Sequence, residues 1–271
     1  MELLNCSFPW LNDHVNDLQF LTCTRCNELR WVEKSKAADF IESYSLPQKG
    51  IMIENTVNCN LECLACSRKK VSSIRKPSKM SLNELRKISL MIREVGIQQV
   101  NYFNLGEPFF SKDFDQELEI LREDNPDIFI HISTNGQLLD NDRKRNAAML
   151  ADHIMFSIDG ATQESIEKYQ RGANFDKVYQ NLTELVKFRD SKGNQRPVIE
   201  WKYLLFNWND NEELINRAIE LAKNARVDII SFWPTLSPSW GISWRYYLGT
   251  YLKSIGNPSW KGREIDFRVK S

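Results

Sequence analysis

The chain has 271 residues, 42% of them hydrophobic and 27% charged, a composition that argues against a disordered or fibrous protein. Its 36 Lys and Arg residues balance 36 Asp and Glu residues, so overall charge would not attract nucleic acid or an anionic membrane. No apolar run approaches the roughly 18 residues of a membrane span and the N-terminus lacks a signal-peptide pattern, so we expect a cytoplasmic protein with no membrane or nucleic-acid partner.

Predicted strands and helices alternate along most of the chain. The first predicted strand is 51–57, and a helix follows from the capping box at Ser81 to Gly96. Such alternation predicts βαβ units, an α/β fold and a partial barrel of six parallel strands with helices outside. In these folds functional residues follow the strands. The later predicted strands are 99–105, 128–133, 153–158, 198–206 and 227–233, and the later helices are 114–123, 142–150 and 210–225, the last with a capping-box-like start at Asp210.

All six cysteines lie in the first quarter of the chain, a distribution that is not typical of a disulfide framework in a cytoplasmic protein. Cys59, Cys63 and Cys66 directly follow the first predicted strand and can converge on one inorganic centre. A structural zinc site closes with four ligands, whereas a [4Fe–4S] cluster held by three cysteines leaves one iron open. The spacing alone leaves three alternatives: an iron–sulfur cluster, zinc with a distant fourth ligand, or unligated cysteines.

Four short polar segments follow later strands in a fixed order: Gly106-Glu107-Pro108, Ser133-Thr134-Asn135-Gly136, Ser157-Ile158-Asp159-Gly160 and Arg171-Gly172. Taken singly, each is typical of turn residues at a strand end. Taken together with the C-x3-C-x2-C spacing, they resemble the radical S-adenosylmethionine (radical SAM) enzymes. The four segments are similar to that family's GGEP, STNG, SIDG and Arg-Gly segments, with Leu105 in place of the first glycine of GGEP.

The resemblance implies two cofactors, a [4Fe–4S] cluster and SAM bound to its open iron. It implies that Cys59, Cys63 and Cys66 hold the cluster and that Ser157 and Arg171 hold the SAM carboxylate, in keeping with a carboxylate's need for strong donors. The implied SAM-binding residues are Gly106, Glu107 and Pro108 near the amino group, Ser133, Thr134 and Asn135 near the ribose, and Ser157, Asp159 and Arg171. Ala65 replaces an aromatic residue found near adenine in many members, so the adenine contact has no candidate in this sequence.

The implied activity is reductive cleavage of SAM to a 5'-deoxyadenosyl radical, which abstracts hydrogen from an organic substrate. The expected substrate is a peptide or a carbohydrate-like metabolite, and the expected electron donor is a flavodoxin or ferredoxin. Two alternatives stay open. One is an activase-like enzyme that acts on a partner protein, and the other is a structural zinc-binding module.

Residues 1–47 form a cysteine-containing N-terminal segment ahead of the predicted barrel at 48–235. Cys6, Cys23 and Cys26 loosely resemble the SPASM or twitch region of radical SAM enzymes, although that region usually follows the barrel. The three cysteines suggest an auxiliary iron–sulfur cluster, a zinc site completed by His14, or a metal-free remnant.

The remaining residues, 236–271, form a predicted aromatic C-terminal extension. The irregular segment from Trp233 to Trp244 could line the open side of the barrel, cover a partner or fill the base of the barrel. Trp201 and Tyr203 share a strand face and are predicted to be core. A run of six basic residues between Arg68 and Lys79 is predicted to be a loop, either solvated or facing an acidic donor or a phosphorylated substrate.

Overall fold

A computed structural model describes residues 2–3, 31–32, 50–74, 79–249, 251–259 and 262–268. The chain divides into two units, residues 1–49 and residues 50–271. In the first unit β1 (Glu2–Leu3) pairs with β2 (Trp31–Val32) in antiparallel fashion. Cys6, His14, Cys23 and Cys26 lie outside the described residues, so the N-terminal metal site stays a prediction.

The second unit is built on one sheet with the strand order β3-β4-β5-β6-β7-β8-β10-β9. Strands β3 to β8 run parallel, and β10 and β9 are added at the edge in antiparallel fashion. This order confirms the predicted α/β fold with six parallel strands. The strands are β3 (Gly50–Met52), β4 (Gln99–Asn101), β5 (Phe129–Thr134), β6 (His153–Ser157), β7 (Val198–Leu205), β8 (Ile229–Pro234), β9 (Asn257–Ser259) and β10 (Gly262–Asp266).

Helices connect successive parallel strands, as βαβ units require. None of the described helices is both long and apolar enough to cross a membrane. The α-helices are α1 (Arg68–Ile74), α2 (Leu82–Val95), α3 (Phe114–Asp124), α4 (Asp142–Ala148), α5 (Gln163–Glu167), α6 (Phe175–Ser191), α7 (Glu212–Ala225) and α8 (Trp244–Tyr247), and short 3₁₀ helices span Pro108–Phe110, Ser239–Gly241 and Tyr251–Ser254.

Local capping chemistry sets the ends of α2 and α7. Ser81 and Glu84 form the predicted capping box, and Gly96 ends α2 in the left-handed conformation at φ 72°. The predicted start of α7 was one residue early, because Asn211 is the cap and accepts a hydrogen bond from the Leu214 N–H. Asp210 is instead buried, where it accepts from Ser243 and pairs with Arg245.

Two of the predicted strands are shorter than their apolar runs. β3 ends at Met52 rather than at residue 57, and β4 ends at Asn101 rather than at residue 105. Beyond these ends the chain turns into irregular loops that lie over the carboxyl edge of the sheet. The run of basic residues is also partly helical, since Arg68 begins α1.

Alternate residues of the parallel strands face two different environments. On β7 Trp201 and Tyr203 point toward the helices and are fully buried, as predicted, while Glu200 and Lys202 point to the inner face of the curved sheet. The outer face of the sheet therefore supplies the apolar core, and the inner face carries polar side chains toward the open carboxyl edge.

Candidate active site

The three clustered cysteines lie in a loop whose middle is fixed by backbone hydrogen bonds. The Leu64 N–H donates to the carbonyl of Tyr169 at 2.9 Å, and the Glu62 N–H donates to the carbonyl of Arg171 at 3.0 Å. Within the loop the Cys66 N–H donates to the carbonyl of Cys63 at 3.1 Å. The segment around Arg171 thus holds the cysteine loop in place from the β6 side.

The thiols of Cys59, Cys63 and Cys66 lie close enough to influence one another electrostatically. Burial, together with the charges of Asp159, Cys59 and Cys66, raises the pKa of Cys63 to about 12. Burial also raises the pKa of Cys59, against the Leu61 N–H, which donates to its sulfur at 3.4 Å. The thiols of Cys59 and Cys63 would become thiolates beside a positive centre, and a bound metal centre provides that charge.

The donor set suits an iron–sulfur cluster. The loop brings the thiols of Cys59, Cys63 and Cys66 near one another, and N–H groups point at one of them, with Asn135 Nδ2 at 3.6 Å from the Cys59 sulfur. Three thiolate ligands with N–H donors to sulfur are the arrangement that protein-bound iron–sulfur clusters use.

Glu107 joins two of the motif segments. One of its carboxylate oxygens accepts from the Thr134 hydroxyl at 2.6 Å and the Phe109 N–H at 3.3 Å, and the other accepts from the Asn135 N–H at 2.8 Å. Its side chain is buried, and burial raises the pKa of Glu107 to about 7 against these three donors. The carboxylate therefore positions the loop after β5 against the loop after β4.

The Gly106 backbone packs directly on the segment that precedes Cys59. A Cβ at Gly106 would lie 1.8 Å from the carbonyl oxygen of Thr56, so no other residue fits there without moving the chain. The Glu107 N–H donates to the Asn58 carbonyl at 2.8 Å, and Glu54 Oε1 accepts from the Leu105 N–H at 2.8 Å. These contacts fix the approach to the cysteine loop.

Two serines predicted to contact SAM meet across neighbouring strands. Ser133 Oγ and Ser157 Oγ are 3.4 Å apart at the inner face, and both side chains are partly exposed. Thr134 is buried and its hydroxyl is committed to Glu107, whereas Asn135 reaches toward Cys59 and Asn60. The hydroxyl pair and Asn135 thus remain accessible beside the cysteine loop, and Thr134 acts in positioning.

Asp159, like Glu107 and Thr134, is a predicted SAM-binding residue that is buried within a network of protein contacts. Its Oδ1 accepts from the Leu204 N–H at 2.9 Å, and its N–H donates to Gln170 Oε1 at 2.9 Å. Burial raises the pKa of Asp159, while nearby Lys202 and the Leu204 N–H lower it. In this structure Asp159 ties the end of β6 to β7 and to the segment that holds the cysteine loop.

Arg171 has an exposed side chain next to the cysteine loop. Several supporting residues were not singled out from the sequence: Glu54, Asn58 and Gln170 act through backbone groups of the motif segments, and Lys202 lies one strand from Ser157. A polar residue inside an apolar run, as Glu54 is in the run that begins at Ile51, is the available sequence signal for such a role.

Comparison with known proteins gives one family and a set of distant relatives. The model of the Radical SAM superfamily matches residues 53–194, which is more than half of the chain. A probable GTP 3',8-cyclase of Methanosarcina mazei is 29% identical over 156 residues, which cover 52% of this chain and 46% of that protein. The GTP 3',8-cyclase of Aliarcobacter butzleri is 25% identical over 138 residues, covering 51% of this chain and 42% of that protein.

Among solved structures, native anSMEcpe with bound AdoMet superposes with a TM-score of 0.52 at 19% identity, covering 68% of this chain and 50% of that one. This likeness supports the fold. The chain spans about half the length of the curated relatives it matches. The match over residues 53–194 includes the cysteine loop and all four motif segments, and the chain therefore belongs to the radical SAM superfamily, whose cofactors are a [4Fe–4S] cluster and SAM.

Proposed function

We propose that Cys59, Cys63 and Cys66 bind the cluster of a radical SAM enzyme that abstracts hydrogen from a peptide or a carbohydrate-like metabolite. One observation carries the proposal: Glu107 fastens the loop containing Asn135, whose amide nitrogen lies 3.6 Å from the Cys59 sulfur. The segments that resemble SAM-binding motifs are thereby gathered around the cysteine loop.

When bound, the cluster would supply the electron for reductive cleavage of SAM to methionine and a 5'-deoxyadenosyl radical. The chain's own residues bind the cluster and SAM and orient them. Ser133 and Ser157 present hydroxyl groups, and Asn135 presents an amide, to the ribose and carboxylate of SAM. Arg171 supplies an exposed cation beside the loop, which suits the SAM carboxylate. Glu107 and Asp159 keep these groups in position through backbone N–H contacts.

The proposed electron donor is a small acidic protein of the flavodoxin or ferredoxin class. The first residues of α1 directly follow Cys66, and Lys69 and Lys70 are exposed there. Lys69 is paired with Glu62 at 3.0 Å. A basic, exposed helix next to the cysteine loop suits an acidic partner that delivers electrons over a short distance.

The test is formation of 5'-deoxyadenosine by anaerobically reconstituted protein given SAM and dithionite. We expect the wild type to form it and Cys63→Ala to form none, because loss of one thiolate removes a ligand of the cluster. Ser67→Ala, an exposed position beside Cys66, is the matched control and is expected to behave as the wild type. Zinc without iron and sulfide in the wild-type protein would instead support the structural zinc module.

The names of the two relatives introduce GTP as a second candidate substrate. The same assay addresses it, because a true substrate consumes the radical and increases turnover of SAM. Faster 5'-deoxyadenosine formation with GTP, with transfer of deuterium from labelled GTP into the product, would favour the nucleotide. The absence of both effects leaves the peptide or carbohydrate-like substrate as the proposal.

A further inference from the structure

Lys202 holds a positive charge on the inner face of the sheet. It lies on β7, opposite Ser157 on β6 and Ser231 on β8 in the strand register. Its side chain is half-buried, and its ammonium nitrogen lies 5.5 Å from the centre of the Trp233 ring. Among the inner-facing positions of β4 to β8, all of which the structure describes, Lys202 is the sole Lys or Arg.

The acidic groups near Lys202 make their hydrogen bonds with other residues. In the part of the chain that the structure describes, no carboxylate lies within ion-pair distance of its ammonium group. Glu200, two residues earlier on the same face, accepts from Ser231 and lies 3.0 Å from His153. Asp159 accepts from the Leu204 N–H and lies beyond ion-pair distance of Lys202, although the charge of Lys202 lowers the pKa of Asp159 against the effect of burial. A half-buried ammonium without a direct carboxylate contact is costly, and this more distant charge and the Trp233 ring compensate only in part.

The side chains around Lys202 form a polar surface below the cysteine loop. Ser157 and Ser133 offer hydroxyl groups next to it. Deeper in the barrel the rings of His131 and His153 stack with their centres 4.7 Å apart, and His153 contacts Glu200. One cation beside hydroxyl groups is suited to an anionic group rather than to a second cation.

We infer that Lys202 anchors an anionic group of the substrate, a carboxylate or a phosphate, at the inner face of the barrel. The inference rests on the proposed function, because it assigns the anion to the substrate of that same site. It narrows the substrate to molecules that carry such a group at a distance from the carbon that loses hydrogen. Trp233 holds the ammonium in place, and Ser157 lies beside it.

The test measures binding of two probes, pyrophosphate and succinate, to the anaerobically reconstituted full chain by titration calorimetry. We expect at least one probe to bind, and Lys202→Met to weaken it by about tenfold or more, since a charge-assisted contact is lost. The preferred probe distinguishes phosphate from carboxylate. Lys202→Arg is expected to retain binding, and Lys202→Gln repeats the charge removal with a polar side chain should the Met variant not fold. Lys187→Met, on the exposed surface of α6, is the matched control and is expected to bind as the wild type.

Three outcomes overturn the inference. The first is that neither probe binds the wild type. The second is that Lys187→Met weakens binding as much as Lys202→Met. The third is that Lys202→Met binds both probes normally but loses affinity for SAM, which would assign the ammonium to the SAM carboxylate. Formation of 5'-deoxyadenosine by the wild type is measured on the same preparation. Lys202-dependent anion binding without that product rejects the proposed function alone, and the product without Lys202-dependent binding rejects the anion site alone.

Discussion

At the scale of single residues, the buried carboxylate of Glu107 has the widest influence on the site. It is 2% exposed and accepts three hydrogen bonds, from Thr134, Asn135 and Phe109. A sequence motif that resembles a SAM contact thus serves first to join two loops. The positions of the segments Gly106-Glu107-Pro108 and Ser133-Thr134-Asn135-Gly136 depend on each other. A substitution of Glu107 should therefore shift Asn135, which lies beside Cys59.

The raised pKa of Glu107 predicts a pH dependence of stability. Its pKa is about 7 in the folded chain against an ordinary value of 4.5. Between these values the unfolded chain loses the proton and the folded chain keeps it, so the free energy of unfolding falls as pH rises, by roughly 3 kcal/mol in all from this group. Urea unfolding from pH 5 to 7.5 should show this fall in the wild type.

Glu107→Gln removes the titrating group and is the control for that measurement. The variant should lack this part of the fall with pH, and at pH 5 it is expected to be less stable than the wild type by about 1–3 kcal/mol because the contacts to Thr134 and Asn135 weaken. Identical pH slopes in the two proteins would contradict the role given to the Glu107 proton.

Arg171 gives a second prediction at the residue scale. Its side chain is exposed next to the cysteine loop, while its backbone carbonyl fixes Glu62. Arg171→Ala should weaken SAM binding by about tenfold, since an ion pair to a carboxylate is lost, and should leave the iron content unchanged because the backbone contact stays. Lys168→Ala, an exposed cation three residues earlier, is the control. Unchanged SAM affinity in Arg171→Ala would remove this residue from the site.

At the scale of elements, the boundary between β7 and α7 separates two neighbouring residues with different roles. Asn211 caps α7, whereas Asp210 is 1% exposed and fastens Ser243 and Arg245 at the start of α8. The aromatic segment that follows β8 is therefore attached to the barrel through Asp210. Local sequence pattern identified a cap in this region but not the tertiary contact that draws Asp210 away from it.

Amide hydrogen exchange distinguishes these two roles. Asn211→Ala should accelerate exchange in the first turn of α7 by about fivefold, as expected for loss of about 1 kcal/mol of capping, with residues 243–248 unaffected. Asp210→Asn should accelerate exchange at residues 243–248 and leave the first turn of α7 unaffected, since Arg245 loses its ion pair while the α7 cap is intact. Equal effects of both variants on α7 would contradict the assignment of the cap.

At the scale of the whole molecule, the order of strands and helices could be predicted from apolar runs and caps, and the strand ends could not. Residues 53–57 belong to the first predicted strand, yet Glu54 and Asn55 bond to the loop after β4 and its 3₁₀ helix, so the chain leaves the sheet. The cysteines and motif segments were identifiable because their spacing is local. Lys202 was not, since its role depends on Ser157 and Trp233 lying on adjacent strands.

The chain has zero net charge, but α1 carries a local basic surface. This basic surface predicts where an acidic reductant docks. Lys70→Glu reverses an exposed charge near Cys66 and should slow reduction by flavodoxin about threefold or more at low salt, with a smaller difference at high salt. Reduction by dithionite should not change, because it needs no docking surface. Lys187→Glu serves as the control, and a flavodoxin rate that is unaffected by Lys70→Glu would exclude α1 from the docking site.

The central claim is that Cys59, Cys63 and Cys66 hold a cluster with one iron open to SAM. Electron paramagnetic resonance of the reduced, reconstituted chain with and without SAM tests it most directly, with the triple variant Cys59→Ala, Cys63→Ala, Cys66→Ala as the baseline for any other cluster. We predict that SAM changes the spectrum of the wild type and that the triple variant has no SAM-sensitive signal. A SAM-sensitive signal that persists in the triple variant, or a wild-type spectrum that SAM leaves unchanged, would contradict the claim.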